Sequence, residues 1–159
     1  STESVVVVEG YMDVIACQRA GLPAVAPMGT ALTEDQMALL WRVSPEPVLC
    51  FDGDGAGQRA AFRAIERALP LLKPGKSFRF ALLEGGQDPD DILREKGAPA
   101  LRQALAETRP FAEVLFRREV EAEPLDTPER RAGLKGRLRN AAAAIQDKDL
   151  AEQYRRDLF

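Results

Sequence analysis

Histidine is absent from this chain of 159 residues, and only two cysteines are present. The lack of histidine excludes a Ser-His-Asp triad, a Cys-His pair and any histidine-ligated zinc site. Cys17 and Cys50 both lie in apolar stretches, which predicts buried thiols in a reducing compartment. If the protein is an enzyme, we therefore expect it to work with carboxylates and a metal ion.

The chain also lacks long hydrophobic runs and an excess of positive charge. No apolar stretch approaches the length of a membrane span, and the first residues show no signal-peptide pattern. The 22 lysines and arginines are outnumbered by 25 acidic residues, and the resulting net charge of −3 does not indicate nucleic-acid binding. The length predicts one globular domain, or one domain with a small appendage.

Strand-like and helix-like patterns alternate four times over residues 1–97. Residues 5–8 are four valines, which is typical of a strand buried on both faces. Thr33 followed by Gln36 has the spacing of a capping box at the start of a helix. The alternation predicts an α/β fold with a mostly parallel four-stranded sheet and flanking helices. Residues 98–159 show no strand pattern, so we expect an α-helical subdomain there.

The most informative stretch is the glycine-rich loop at residues 51–57, which carries Asp52 and Asp54 between a strand and an apolar-periodic helix. Two aspartates at this spacing point the same way if the backbone stays extended. The glycines permit a tight turn and let another group approach the backbone closely. Carboxylate ligands favour hard cations such as Mg²⁺, Mn²⁺ or Ca²⁺. The loop by itself is equally compatible with a solvated Asp/Gly turn.

Acidic residues follow two other predicted strands as well. Glu9 follows the first strand, and Asp88 with Asp90 follows the fourth. Because the carboxyl ends of parallel strands lie along one edge of a sheet, we expect these residues to converge with Asp52 and Asp54. Each acid considered separately could be a strand terminus or a helix cap. Together, they need a cation to offset their mutual repulsion, which predicts a divalent-metal site.

Three motifs resemble the Toprim domain of bacterial DnaG-type primases: E-G-Y-M-D-V at residues 9–14, F-D-G-D-G-A-G at 51–57 and Q-D-P-D at 87–90. The bare Toprim pattern, a glutamate after one strand and D-x-D after another, is shared with topoisomerases and some nucleases. The longer strings are more specific to primases. The helical half, including residues 111–116, also resembles the subdomain that follows Toprim in these enzymes.

The resemblance implies nucleotidyl transfer: metal-dependent, DNA-templated synthesis of short RNA primers for replication in the bacterial cytoplasm. Its implied partners are a single-stranded DNA template and ribonucleoside triphosphates, and its implied cofactor is Mg²⁺ or Mn²⁺. Glu9 matches the family's catalytic glutamate, which binds a metal or assists proton removal. The matching metal-binding aspartates are Asp52, Asp54, Asp88 and Asp90, with Asp13 and Asp91 near the site in roles that the resemblance does not fix.

Several parts of a full primase are not visible in this sequence. Such enzymes carry an N-terminal zinc-binding domain, a basic subdomain before Toprim and a C-terminal helicase-binding domain. We expect the chain to be one part of such an enzyme, with zinc and the replicative helicase bound by the other domains. Because the basic subdomain should hold much of the template contact, we expect little or no primer synthesis by this part alone.

Two other functions remain as alternatives to primase. One is a topoisomerase or nuclease fragment with a Toprim domain, although neither Tyr11 nor Tyr154 has the context of a topoisomerase nucleophile. The other is a non-catalytic Toprim module that acts in recombination, which would not need the complete set of acids.

A basic series in the helical half is a separate candidate for DNA contact. Its pattern favours a solvated helix face interleaved with acids over a DNA-binding surface. The series consists of Arg130, Arg131, Lys135, Arg137 and Arg139.

Overall fold

The computed structural model describes residues 5–27, 32–52 and 55–159. The strands in this part of the chain are β1 (Val6–Val7), β2 (Ala24–Val25), β3 (Val48–Asp52), β4 (Arg79–Leu83) and β5 (Arg109–Pro110). The helices are α1 (Tyr11–Arg19), α2 (Glu34–Val43), α3 (Gly55–Ala68), α4 (Pro89–Lys96), α5 (Ala98–Ala106), α6 (Phe111–Ala122), α7 (Pro128–Ala144) and α8 (Lys148–Asp157). None of these helices combines the length and apolar character that a membrane span requires.

The strands form one sheet in the order β2-β1-β3-β4-β5, in which the first four strands are parallel. This confirms the predicted α/β class and the mostly parallel sheet. The sheet has one strand more than predicted, because β5 pairs antiparallel with β4. Sequence patterns could not find β5, since it is only two residues long and both of them are exposed.

Helices cover both faces of the sheet, and alternate side chains of the strands enter two separate cores. Val5 and Val7 belong to a core formed with α2, α3, α6 and α7, against which residues of α8 also pack. Val6 and Val8 belong to a second core formed with α1, α4 and α5. The valine run therefore lies in a strand region buried on both faces, as predicted, because successive side chains of a strand point to opposite faces.

Side-chain caps mark the starts of α2 and α7, and the cap at Thr33 was predicted from the sequence. Thr33 is the N-cap of α2 and forms the expected capping box with Gln36. Thr127 caps α7, and Pro128 occupies its first position. The division of the chain at residues 97 and 98 stays a prediction.

Candidate metal centre

The fold brings three acidic segments to the carboxyl edge of the sheet. Strands β1, β3 and β4 are parallel neighbours, with Val7 paired with Leu49 and Asp52 paired with Leu83. Glu9 follows β1, Asp52 is the last residue of β3, and Asp88 follows β4 after a short turn. The edge on which the sequence predicted a metal site is therefore formed by these neighbouring strand ends.

The connection from β3 to α3 depends on the glycine at position 57. A Cβ atom at Gly57 would overlap the backbone carbonyl oxygen of Asp52 and would lie 2.7 Å from the carbonyl carbon. Only glycine fits there, which is the close backbone approach predicted from the loop. Asp54, the second acid of the loop, lies outside the described residues.

Asp88, Asp90 and Asp91 form a compact group of carboxylates at the start of α4. One oxygen from each side chain lies within 4.8 Å of the others, and all three side chains are partly buried. The turn that leads to them passes through Gly85 and Gly86, at φ angles of +69° and +70°. Such angles suit glycine, so these residues allow the chain to turn from β4 into α4.

Two of these carboxylates also cap the helix. The side chain of Asp88 accepts the backbone N–H of Asp91 at 2.8 Å, and the side chain of Asp91 accepts that of Asp88 at 3.3 Å. As a description of the local geometry, the capping alternative therefore holds for Asp88 and Asp91. It does not replace the metal hypothesis, because each carboxylate has two oxygens and several acceptor positions.

Arg94 is the positive partner of this group. Its Nε lies 3.3 Å from Oδ2 of Asp90, and its Nη2 lies 2.6 Å from Oδ1 of Asp91. Arg94 was not predicted from the sequence as a site residue, although its spacing of three and four residues from the acids on one helix was an available signal. The arginine is largely exposed, so the pairs are screened by water and offset little of the negative charge.

Asp13, to which the sequence assigned no definite role, is the buried acid of this edge. Its exposed fraction is 7%, and its Oδ1 accepts the backbone N–H of Asp90 at 3.2 Å. Burial raises the pKa of Asp13 to about 6 against the lowering effect of this hydrogen bond. The negative charges of Asp88, Asp52 and Asp90 contribute to this raised pKa. Asp13 is therefore close enough to the acids at the end of β3 and after β4 for their charges to affect its pKa.

Glu9 and Asp52 lie at the neighbouring ends of β1 and β3 on the same edge of the sheet. They line a cavity of about 500 Å³ between the ends of β1 and β3 and the side of α3. Arg63 and Arg67 from α3 line the same cavity, and neither arginine was predicted from the sequence as a site residue. Among the described residues, the close carboxylate group is formed by Asp88, Asp90 and Asp91, without Glu9 or Asp52.

The donor set suits a hard divalent cation. The close group offers only carboxylate oxygens, which Mg²⁺, Mn²⁺ and Ca²⁺ prefer over softer ligands. A cation at this edge would also offset the repulsion that raises the pKa of Asp13. The residues present therefore fit a divalent metal without selecting one ion.

This combination of sheet and acids places the chain in the Toprim class. The family model described as Toprim domain matches residues 3–81. The DNA primase of Rickettsia conorii is 38% identical over 152 residues, which cover 95% of this chain and 26% of that protein. The DNA primase of Escherichia coli K12 is 42% identical over 129 residues, covering 80% of this chain and 22% of that protein.

Solved structures agree with the sequence relatives. A DnaG primase catalytic domain bound to single-stranded DNA is 35% identical, with a TM-score of 0.88 over 99% of this chain and 52% of that one. A DNA primase domain from Pseudomonas aeruginosa is 39% identical, with a TM-score of 0.89 over 98% of this chain and 49% of that one. The chain belongs to the family of DnaG-type primases. It spans about a quarter of the length of the Rickettsia relative.

The comparisons also decide between the functions left open by the sequence. The relatives are named as DNA primases, and the similar structures are primase catalytic domains. A primase fragment is therefore supported over a topoisomerase or nuclease fragment and over a recombination module.

Proposed function

We propose that this chain is the metal-binding part of a primase catalytic core, which makes short RNA primers on a DNA template. The observation that carries the proposal is the group of Asp88, Asp90 and Asp91, at the sheet edge that Glu9 and Asp52 also border. The primase relatives suggest nucleotidyl transfer as the reaction at this acidic edge. This reaction requires charge neutralisation at the triphosphate, which a metal bound by carboxylates can supply.

The proposed ligands of Mg²⁺ or Mn²⁺ are Asp52, Asp54, Asp88 and Asp90. When bound, the cation would offset the charge of the leaving pyrophosphate and favour ionisation of the attacking 3′-hydroxyl. Glu9 is exposed at the end of β1, where its carboxylate is proposed to bind the cation or to accept the hydroxyl proton. Arg94 would restrain Asp90 and Asp91 by its ion pairs.

The proposed partners are single-stranded DNA and ribonucleoside triphosphates, used in the bacterial cytoplasm. The similar catalytic domain with bound single-stranded DNA supports a DNA template. A zinc ion and the replicative helicase are assigned to other domains of the complete enzyme. Within this chain, residues 1–97 are proposed as the Toprim domain and 98–159 as the helical subdomain.

The proposal predicts that metal binding stabilises the chain. A ligand that binds only the folded state raises the melting temperature as its concentration rises. Mn²⁺ should therefore raise the melting temperature of the parent, and Asp52→Asn combined with Asp88→Asn should remove the rise. Asp126→Asn is the matched control, since Asp126 is an exposed aspartate paired with Arg130 outside the site. An unchanged response in the double variant would place the metal elsewhere.

Primer synthesis is tested with the rest of the core restored. This chain alone should make little or no primer on single-stranded DNA, because its acids outnumber its lysines and arginines by 25 to 22. Addition of the basic subdomain, in cis or in trans, should restore synthesis, and Glu9→Gln should abolish it without unfolding the protein. Efficient synthesis by this chain alone would contradict the proposal, because it would show that this chain holds the template site.

A further inference from the structure

The first turn of α4 has its backbone donors satisfied by aspartate side chains. Asp91 accepts the N–H of Asp88, Asp88 accepts that of Asp91, and Asp13 accepts that of Asp90. The remaining residue of the turn is Pro89, which has no N–H. Because the first N–H groups of a helix lack intrahelical partners, these three carboxylates together fix the turn that holds the candidate ligands.

Only one of these three hydrogen bonds comes from another part of the chain. The bonds between Asp88 and Asp91 span three residues, so they shape the turn without fixing its place in the fold. The bond from Asp90 to Asp13 spans 77 residues and joins α4 to α1. Helix α1 begins directly after Glu9 and Gly10, and the N–H of Asp13 donates to the carbonyl of Gly10 at 3.1 Å. Asp13 therefore links the glutamate segment to the aspartate turn.

We propose that Asp13 is a positioning residue, whose carboxylate holds the backbone of Asp90 and so sets the distance of the α4 ligands from Glu9 and Asp52. This inference rests on the proposed metal site. It differs from a role of Asp13 as a ligand in its own right. Asp13 is only 7% exposed, and among the described residues it is not a member of the group with mutual oxygen distances within 4.8 Å.

The two roles make different predictions for two substitutions. Asp13→Asn keeps a carbonyl oxygen that can accept the N–H of Asp90 but loses the charge, whereas Asp13→Ala loses the acceptor. A positioning role predicts Mn²⁺ affinity within about threefold of the parent for Asp13→Asn and about tenfold weaker or worse for Asp13→Ala. A ligand role predicts that Asp13→Asn weakens binding as much as Asp88→Asn does. The measurement is a titration in which free Mn²⁺ is followed by electron paramagnetic resonance.

A second readout needs no metal. The amide proton of Asp90 should exchange slowly with solvent in the parent and in Asp13→Asn, and faster in Asp13→Ala, while the amide of Asp91 stays protected by Asp88. Failure of the parent to bind Mn²⁺ would contradict the proposed function, and amide exchange would still test the positioning role. Equal exchange of the Asp90 amide in all three proteins would overturn the inference, as would parent-like Mn²⁺ affinity in Asp13→Ala. If Asp13→Ala does not fold, Asp13→Leu replaces it, because leucine is similar in size to aspartate and also lacks the acceptor.

Discussion

Two clusters of charged side chains in this molecule differ in the balance of their positive and negative charges. At the carboxyl edge of the sheet, the carboxylates of Asp88, Asp90 and Asp91 lie close together, and the Asp13 carboxylate beside them accepts the backbone N–H of Asp90. The cation paired with them among the described residues is the exposed Arg94. The net charge of this acidic edge is therefore strongly negative.

The second cluster, between α6 and α7, is electrically balanced. Glu119 is buried and takes two hydrogen bonds from Arg118, at 3.0 and 2.6 Å. Arg137 from the facing helix lies 3.4 Å from the other oxygen of Glu119 and 3.2 Å from Glu123, and it donates to the backbone carbonyl of Glu119 at 2.8 Å. Two guanidinium groups here meet two carboxylates.

The difference separates a structural cluster from a functional one. A balanced, partly buried cluster holds two helices together, and the loss of Arg137 leaves the buried Glu119 with Arg118 of its own helix as its remaining partner in the cluster. An unbalanced cluster of like charges opposes folding until a cation binds. Charge removal should therefore destabilise the α6–α7 cluster and stabilise, or leave unchanged, the metal-free acidic edge.

The largest effect is expected at the balanced cluster. Arg137→Met keeps much of the side-chain volume but leaves Glu119 without a cross-helix partner, which should lower the free energy of unfolding by about 3 kcal/mol. Urea denaturation measures this change. Arg130→Met is the control, because Arg130 lies on the same helix in an exposed pair with Asp126 and should contribute about 0–1 kcal/mol. Similar small losses in both variants would contradict a structural role for the cluster.

At the acidic edge, we expect removal of a charge to raise the free energy of unfolding. The pKa of Asp13 is raised to about 6, so in metal-free protein its ionised form opposes folding at neutral pH. Between about pH 4 and 6 the folded state holds a proton that the unfolded state has lost, so this contribution to stability falls as pH rises. The charges facing Asp13 come from Asp88 and Asp90 on α4 and from Asp52 on β3.

Asp13→Asn removes this titration. In chelator-treated protein at pH 7, it should raise the free energy of unfolding by up to about 3 kcal/mol, and the gain should vanish near pH 4. Urea denaturation at several pH values measures the difference from the parent. Asp126→Asn should show no such pH-dependent gain. A loss of stability in Asp13→Asn at pH 7 would mean that the acidic edge is not under electrostatic strain.

Two substitutions of Asp88, with a smaller expected change in stability, can separate its capping role from its proposed metal role. Asp88→Ala loses the cap of α4 and should cost about 1 kcal/mol, whereas Asp88→Asn can retain it, and both should lose the response to Mn²⁺. Asp147→Ala is the matched control. Asp147 caps α8 in the same way, accepting the N–H of Leu150 at 2.9 Å, so its loss should cost as much without changing the metal response. A full Mn²⁺ response in Asp88→Asn would leave Asp88 as a cap only.

Local patterns in the sequence predicted much of this architecture. The valine run, the Thr33 capping box and the glycine-rich loop each act over a few residues, so their physical consequences could be inferred without the fold. The meeting of acidic segments at one sheet edge followed from the parallel topology. The roles of the individual site residues stay predictions.

Contacts between distant segments could not be predicted in the same way. Asp13 resembles any polar residue in the first turn of a helix, and only the packing of α1 against α4 places it on the backbone of Asp90. Arg137 was expected on a solvated face of α7. That expectation was wrong for this residue, because α6 packs against it and supplies Glu119. Arg130, Arg131, Lys135 and Arg139 are exposed, as expected.

The smallest signal is expected from the thiol reactivity of the two cysteines, which lie in the core shared by α1 and β3 below the acidic edge. Burial raises the pKa of Cys17 to about 11, with a further contribution from Asp13, and raises that of Cys50 well above its usual value. Because the thiolate is the reactive form, both thiols should react only slowly with a disulfide reagent at pH 8 in the native protein.

The rate of this slow thiol reaction should follow the population of opened molecules. The rates in variants of the two clusters can therefore be compared by one measurement. Arg137→Met should increase the rate about a hundredfold if it lowers stability by about 3 kcal/mol, because 1.4 kcal/mol corresponds to a factor of ten. Arg130→Met should leave the rate unchanged. Mn²⁺ should slow the reaction of the parent but not that of Asp88→Asn. Rapid labelling of the native parent would show that the core below the acidic edge opens independently of both clusters.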